Sequence, residues 1–238
     1  MNNKIKFAVV GFGHIGKRHC EMIRRNNSAE LVAAVDVNDK LVADAEKLFQ
    51  IPLYDTISSM FKNHQPDVVH ICSPNGFHAQ QAIEALNNNC HVVIEKPMGL
   101  HQAECEDVLQ KALQVHRQVF CVMQNRYSPP SVWLKEVMTQ KLLGKIYLVQ
   151  VNCFWNRDDR YYKPNGNPHP WKGILKTDGG PLFTQFSHFM DLMYWLFGDI
   201  SDIESRFENF NHQQNTDMKD DSGIVSFHFK NGGIGSFN

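Results

Sequence analysis

Two groups of residues in this sequence have the types and spacing that acid–base chemistry needs. Lys96 follows Glu95 at the end of the run HVVIEKP, and a lysine at the end of a buried strand can face a cleft that tunes its proton affinity. Thr184, His188 and Asp191 are spaced by four and three residues on an apolar segment, so a helix would place them on one face. A histidine there can exchange a proton with a hydroxyl near neutral pH.

Each group also has a purely structural interpretation. Glu95 and Lys96 could form a surface ion pair at a strand end. A lone histidine on an apolar helix is more often a core residue whose hydrogen bond is satisfied. The residue types alone leave both interpretations open.

A glycine-rich turn near the N-terminus predicts a dinucleotide site. The glycines of GFGHIG are Gly11, Gly13 and Gly16, they lie between an apolar run and a basic amphipathic segment, and Asp36 follows twenty residues after the last of them. Glycines permit the tight turn and the close approach of backbone to a pyrophosphate, which the next helix N-terminus attracts. Asp36 can accept the ribose hydroxyls and repel a 2′-phosphate, so NAD is favoured over NADP.

We expect the whole turn to contact this cofactor, together with residues that end the neighbouring strands, because the carboxyl ends of parallel strands border one crevice. His14 is interpreted as a solvent-facing residue of the turn rather than a catalyst. The predicted cofactor-binding residues are Gly11, Phe12, Gly13, His14, Ile15, Gly16, Asp36, Ser73, Pro74, Asn75, His78, Glu95 and Lys96.

Residues 1–123 alternate between strand and helix patterns. Helical spacing is predicted at 40–49, 57–63, 78–86 and 102–115, and further strands at 51–54, 67–73, 91–97 and 119–123. Short connections between such elements predict an α/β fold with a doubly wound parallel sheet and right-handed crossovers.

A proline-bearing connector at 124–131 marks a predicted boundary between domains 1–123 and 124–238. Beyond it, helices are predicted at 132–141 and 182–197, strands at 146–155, 200–210 and 223–229, and a hairpin turn at Asn231-Gly232. Residues 156–180 have almost no periodicity but carry aromatic and basic residues, which predicts a functional loop. The returning strand stops at residue 238, so we expect either a fragment of a longer protein or a partner chain that supplies the missing strands.

The bulk composition excludes several classes of function. The chain has 238 residues, 42% of them hydrophobic, and a net charge of −1, which implies no global attraction to nucleic acid or to an anionic membrane. The six cysteines form neither a C-x-x-C nor a zinc-like cluster with histidines, so we expect reduced thiols and no metal site. No apolar run is long enough to cross a bilayer, and a cytoplasmic protein is expected.

Taken together, GFGHIG, SPNGFH, EKP and DGGPLFTQFSHFMD resemble the Gfo/Idh/MocA oxidoreductase family over nearly the whole chain. The resemblance implies an N-terminal Rossmann domain and a C-terminal α+β domain with a large, mostly antiparallel sheet through which members commonly associate, so a homo-oligomer is expected. It implies NAD- or NADP-dependent oxidation or reduction of a sugar-type hydroxyl or carbonyl. Lys96 and His188 match the catalytic lysine and histidine, and the Lys96–Pro97 bond is expected to be cis.

One position departs from this family. Members often have an aspartate four residues before the histidine, and here that residue is Thr184. The proton relay is therefore expected to use His188 and Lys96 alone, or the chemistry is altered. Thr184 is kept as a third catalytic candidate.

The segments QNRY and W-K-G…DGG are similar to family members that oxidise nucleotide-linked amino sugar acids for cell-surface polysaccharides. Their cations suit carboxylate or phosphate oxygens, and their aromatic rings suit a sugar or base face. A solvated loop with structural aromatic residues is the alternative. The predicted substrate-binding residues are Arg126, Tyr127, Arg157, Arg160, Trp171, Lys172 and Asp191.

Two other functions remain open from the sequence. One is an inositol or free-sugar dehydrogenase, and the other is a non-catalytic NAD-sensing regulator on the same fold. Retention of Lys96 and His188 favours an enzyme, whereas Thr184 leaves the regulator possible.

Overall fold

The computed structural model describes residues 4–213, 217–218 and 220–238, which fall into two compact units. The first extends to Val122 and the second begins at Met123. The first unit contains a six-stranded sheet in the order β3-β2-β1-β4-β5-β6, in which every neighbouring pair is parallel. Its strands are β1 (Ile5–Val10), β2 (Ala29–Val35), β3 (Leu53–Tyr54), β4 (Val68–Ile71), β5 (His91–Ile94) and β6 (Val119–Cys121).

The predicted doubly wound sheet is thus confirmed. The strand order reverses between β1 and β4, which is where ligands bind in folds of this kind. Both faces of β1 are buried: Ala8 and Val10 enter one apolar cluster and Val9 enters another. Burial on both faces explains why this strand reads as a continuous apolar run.

Helices connect the strands. They are α1 (His14–Arg25), α2 (Val42–Asp44), α3 (Ile57–Phe61), α4 (His78–Asn87) and α5 (Gln102–Gln114), with 3-10 turns at Asp39–Leu41 and Asn75–Phe77. The single helix predicted at 40–49 is wrong, because its second half is a π-helix, Ala45–Phe49. This wider turn buries Ala45 and Phe49, and the Phe49 ring packs edge-on against Phe12 with centroids 5.6 Å apart.

The second unit contains a four-stranded mixed sheet. Its strands are β7 (Leu148–Val151), β8 (Ile200–Glu208), β9 (Ser222–Phe229) and β10 (Ile234–Phe237). They are ordered β7-β10-β9-β8, with antiparallel pairs β10–β9 and β9–β8 and a parallel pair β10–β7. The predicted hairpin joins β9 to β10, and Gly232 and Gly233 in its turn have φ of 97° and 98°, which favours glycine.

One face of this sheet carries the core of the second unit. Val225, Phe227 and Phe229 of β9 alternate inward and pack with Met193. The helices are α6 (Pro129–Thr139), α7 (Asp159–Tyr162), α8 (Leu175–Asp178) and α9 (Ser187–Phe197), with 3-10 turns at Gln124–Tyr127 and Pro164–Gly166. Met193 belongs to α9, so that helix covers this face.

Three predictions for the second unit are corrected. The strand expected at 146–155 is limited to Leu148–Val151. The helix expected at 182–197 begins as a π-helix, Leu182–Phe186, before α9. Residues 156–180 contain α7, α8 and a 3-10 turn rather than an unstructured run. Among the described residues, no helix is long and apolar enough to span a membrane.

Candidate functional site

The glycine turn between β1 and α1 has the shape that a pyrophosphate requires. Gly11 has a φ of 87°, and a Cβ there would lie 2.5 Å from the Ser73 nitrogen. A Cβ on Gly16 would lie 1.8 Å from the Gly11 oxygen, whereas a Cβ on Gly13 would meet nothing within 4 Å. The backbone is therefore packed tightly on one side and open at Gly13.

The N-terminus of α1 complements this opening. Gly13 is its N-cap, no side chain caps it by a hydrogen bond, and its first turn has no acidic residue. Its first backbone N–H groups and the positive end of the helix dipole are suited to an anion. These features fit the pyrophosphate of a dinucleotide.

Asp36 follows β2 and has a role that the sequence did not reveal. Its Oδ2 accepts the Phe12 N–H at 2.7 Å, and its Oδ1 accepts the Asn38 N–H at 2.9 Å. The carboxylate therefore fixes the glycine turn, and each oxygen keeps a second lone pair for a ribose hydroxyl. Binding of the cofactor and shaping of the turn depend on the same side chain.

The residues after β4 form the neighbouring border of the crevice. The Ser73 hydroxyl donates to Gln81 Oε1 at 2.5 Å, and Asn75 is buried. His78 is 1% exposed, and its two ring nitrogens each lie 2.7 Å from a backbone carbonyl, that of Ser73 and that of Pro97. Burial lowers the pKa of His78, although both carbonyl contacts oppose this. The ring lies in the interior and links the segments that follow β4 and β5.

Lys96 lies just after β5, and its bond to Pro97 is cis as expected. The Oε2 of Glu95 accepts the Lys96 backbone N–H at 3.2 Å, and Oε1 lies 2.9 Å from His19 Nε2. Burial raises the pKa of Glu95, but the hydrogen bond and charge of His19, together with Lys96, bring it below the ordinary value. The Glu95 side chain is only 14% exposed, so it lies in the interior of the first unit rather than on its surface.

In the second unit, His188 lies in the first turn of α9 and is 8% exposed. Thr184 precedes α9 in the π-helical segment, where its hydroxyl donates to the Gly180 carbonyl at 3.0 Å and also contacts Gln185 Oε1. The α-helical spacing assumed between Thr184 and His188 is therefore wrong, because a π-helix has hydrogen bonds five residues apart rather than four, so residues four apart do not align on its face as they do in an α-helix.

Arg126 and Asp191, both predicted to bind substrate, form a two-point ion pair. Arg126 Nε donates to Asp191 Oδ2 at 2.7 Å, and a second nitrogen, Nη2, donates to Oδ1. This pair joins the 3-10 turn Gln124–Tyr127 to α9. Sequence spacing gave no signal for it, since 65 residues separate the partners.

The segment before α9 holds two cations against aromatic rings. The Arg157 guanidinium lies 5.2 Å from the Trp155 ring centre and 4.7 Å from that of Tyr161, and Lys172 Nζ lies 4.0 Å from the Tyr161 ring. Burial lowers the pKa of Lys172, nearby Asp178 raises it, and Arg157 lowers it further. Neither cation forms an ion pair with any residue that the structure describes.

The remaining predicted substrate residues are more peripheral. Tyr127 is 82% exposed. Arg160 pairs with Asp158 at 2.7 Å, and Trp171 packs edge-on against His169 with centroids 5.5 Å apart. Their roles in binding stay predictions.

The match to known proteins covers both units. Residues 5–123 match the model described as oxidoreductase family, NAD-binding Rossmann fold, and residues 132–238 match the GFO/IDH/MocA C-terminal domain. The chain belongs to the Gfo/Idh/MocA oxidoreductase family. Its first unit is therefore an NAD-binding Rossmann domain, in agreement with the geometry of the glycine turn.

Individual members of the family show different degrees of similarity. The WlbA dehydrogenase from Bordetella pertussis, solved in complex with NADH and UDP-GlcNAcA, superposes with a TM-score of 0.92 and 30% identity over 99% of this chain and 70% of that chain. D-glucoside 3-dehydrogenase from Escherichia coli is 27% identical over 83% of this chain, and myo-inositol 2-dehydrogenase from Thermotoga maritima is 24% identical over 97% of it. The chain spans 55% and 67% of the lengths of these two enzymes.

Proposed function

We propose that this chain takes part in NAD-dependent hydride transfer at a sugar-type hydroxyl or carbonyl. The observation that carries the proposal is Lys96 at the carboxyl end of β5, on the sheet edge that also bears the glycine turn and Asp36. NAD, when bound, supplies the hydride acceptor or donor. Lys96 and His188 carry the polar chemistry: one exchanges the proton of the substrate hydroxyl and the other polarises its oxygen.

In either assignment Lys96 bears positive charge in the transition state. Glu95 is held ionised beside it by His19, and an adjacent carboxylate stabilises such a charge. This arrangement supports a chemical role for Lys96 over a purely structural one. All six cysteines are free thiols, which supports a cytoplasmic setting for the reaction.

The substrate we propose is a nucleotide-linked amino sugar acid. Arg157 and Lys172 both lie against the Tyr161 ring. The pKa of Lys172 is lowered by burial and by Arg157 even though Asp178 opposes this, so an anionic group of a substrate would stabilise the two positive charges. Bordetella pertussis WlbA, which binds UDP-GlcNAcA, is 30% identical to this chain. Both observations favour an acidic substrate over a neutral polyol.

Replacement of Lys96 by methionine tests the catalytic proposal. Lys96→Met keeps the length and apolar stem of the side chain but removes the ammonium, so we expect kcat to fall by about a thousandfold or more. The dissociation constant for NADH, followed by fluorescence, should stay within about threefold of the unaltered protein. Equal loss of turnover and NADH binding would contradict the assigned role.

A substrate panel tests the finer proposal. UDP-GlcNAcA, UDP-GlcNAc without the carboxylate, and myo-inositol would be compared by NADH absorbance. Arg157→Gln and Lys172→Gln should raise KM for UDP-GlcNAcA about tenfold or more while changing KM for UDP-GlcNAc little, and exposed Lys176→Gln in α8 serves as the control. Turnover of myo-inositol alone favours the inositol dehydrogenase, to which a relative at 24% identity points, and silence with every substrate favours a regulator.

A further inference from the structure

A hydrogen-bonded chain of three side chains ends beside Lys96. Glu95 Oε1 lies 2.9 Å from His19 Nε2, and His19 Nδ1 lies 2.7 Å from His70 Nδ1. The second Glu95 oxygen accepts the Lys96 backbone N–H. His19 belongs to α1, His70 to β4 and Glu95 to the segment after β5, so only the folded sheet brings them together.

The protonation states of this chain follow from its chemistry. Glu95 has a pKa below its ordinary value, because the bond and charge of His19 and the charge of Lys96 outweigh burial. An ionised carboxylate only accepts, so His19 Nε2 carries a hydrogen. Burial, with help from the charge of His19, lowers the pKa of His70 to about 3. His70 is therefore neutral near pH 7, and one of the two facing Nδ1 atoms of His19 and His70 carries the hydrogen that they share.

Two further titratable groups face Glu95. Burial, and then the charges of Glu95 and Cys20, raise the pKa of the Cys72 thiol well above its ordinary value. Burial lowers the pKa of His78 in α4. The Cys72 thiol is therefore uncharged near pH 7, and the ring nitrogens of His78 face the carbonyls of Pro97 and Ser73, so neither group takes the place of His19 on Glu95. The carboxylate presents its negative charge to Lys96 while His19 holds its other end.

We propose that His19 is a positioning residue for Lys96 that acts through Glu95. By binding Oε1, His19 leaves Oε2 on the Lys96 backbone and keeps the carboxylate ionised beside the lysine. The carboxylate then stabilises positive charge on Lys96 during the reaction, as a carboxylate stabilises the imidazolium of a catalytic triad. The proposal rests on the proposed function of Lys96.

The pH dependence of turnover of UDP-GlcNAcA distinguishes this role from a structural one. Glu95→Gln removes the charge, so kcat should fall about tenfold at every pH, which corresponds to one pK unit of lost interaction. His19→Leu leaves Glu95 to protonate at higher pH, so kcat should fall at low pH and recover as pH rises. His19→Gln keeps an N–H donor for Glu95 and should restore the original profile.

The control is His64→Gln in the same unit. His64 makes its own ring contact, Nε2 to the Tyr54 hydroxyl at 3.0 Å, and lies outside the Glu95 chain. This variant should keep both kcat and its pH profile. A pH-independent loss in His19→Leu that His19→Gln does not repair would overturn the positioning role.

A second measurement does not depend on turnover. In cofactor-free protein, the ¹³C carboxyl resonance of Glu95, assigned with Glu95→Gln, should titrate below an ordinary glutamate and move up by about one unit or more in His19→Leu. An unmoved titration overturns the proposal. If Glu95 titrates as expected but the protein turns over no substrate, the proposed function is overturned and the link between His19 and Glu95 is not.

If His19→Leu does not fold, the role of His19 can still be tested with the unaltered, cofactor-free protein. Imidazole ¹⁵N spectra of the unaltered protein at pH 8 should show His19 with hydrogen on Nε2, the nitrogen that faces Glu95. The opposite tautomer on His19 would mean that it does not donate to Glu95, and the proposal would fall.

Discussion

At the scale of single residues, Asp36 has two roles: it stabilises the glycine turn, and it is the residue expected to bind the ribose. Its carboxylate accepts the Phe12 N–H within the glycine turn and is also the group expected to meet the ribose. A charge and an acceptor can be separated experimentally, because asparagine keeps an acceptor oxygen without the negative charge.

We therefore expect Asp36→Asn to weaken NADH binding about tenfold, since a charge-assisted hydrogen bond is lost. Binding of NADPH should tighten, because the carboxylate no longer repels a 2′-phosphate. The melting temperature should drop less than in Asp36→Ala, which loses the acceptor for Phe12. Fluorescence titrations with both nucleotides check this, and an unchanged preference between them would count against Asp36 as the selector.

His70 makes the stability of the first unit depend on pH. Burial lowers its pKa from 6.5 to about 3. In the unfolded chain the ring therefore binds a proton below pH 6.5, whereas in the folded protein it does so only below about pH 3. Stability from the neutral ring is complete above pH 6.5 and declines as pH falls. Between pH 7 and pH 5 the loss is about 2 kcal/mol.

Native-state hydrogen exchange of the β4 amides measures this loss. The unaltered protein should lose about 2 kcal/mol more between pH 7 and pH 5 than His70→Gln, which has no such proton to bind. Equal losses in both proteins would show that His70 does not carry the linkage.

At the scale of elements, the turn between β1 and α1 offers a matched pair of substitutions. A Cβ on Gly16 would lie 1.8 Å from the backbone oxygen of Gly11, which cannot rotate away, whereas one on Gly13 would meet nothing within 4 Å. The same methyl group should therefore have different effects three residues apart.

Gly16→Ala should lower the free energy of unfolding by about 1 to 3 kcal/mol through overpacking. Gly13→Ala should leave stability nearly unchanged but weaken NADH binding, because its methyl group occupies the space into which a pyrophosphate must come. Denaturant unfolding and NADH titration of both variants give the comparison. Similar destabilisation by both would contradict the assignment of Gly13 to the phosphate opening.

Elements were also where prediction from periodicity was weakest. Apolar spacing at 40–49 and 182–197 predicted α-helices, yet each segment contains a π-helix, Ala45–Phe49 and Leu182–Phe186. Apolar spacing reports which residues are buried, and a π-turn buries residues of similar spacing. The choice between the two turns depends on neighbours such as Phe12, which packs on Phe49.

At the scale of the whole molecule, the second sheet has one face packed beneath α9 and an opposite face that carries exposed apolar residues. Ile224 of β9 is 60% exposed, and Ile234 of β10, which pairs with His228 on the same face, is 48% exposed. Exposed apolar residues on a sheet are typical of a surface that a second subunit covers. We expect this chain to associate with copies of itself through that sheet.

Light scattering after size exclusion tests this expectation. Ile224→Asp with Ile234→Asp should shift an oligomer to the monomer, because two charges would be buried without partners. Leu113→Asp, at a residue of α5 that is 76% exposed in the first unit, should not change the mass. An unchanged mass in the double variant would exclude this face as the interface.

The sequence by itself determined the order of the strands and helices, the glycine turn with Asp36, and the positions of Lys96 and His188, because local periodicity and short motifs encode them. It could not reveal the bonds of His19 to Glu95 and His70, or of Arg126 to Asp191, since their partners are 76, 51 and 65 residues apart. Such pairs arise only when strands and helices distant in the chain become neighbours. Tertiary contacts, rather than residue type, decided which charged groups pair with one another, because an ion pair forms only when the fold brings both partners within reach.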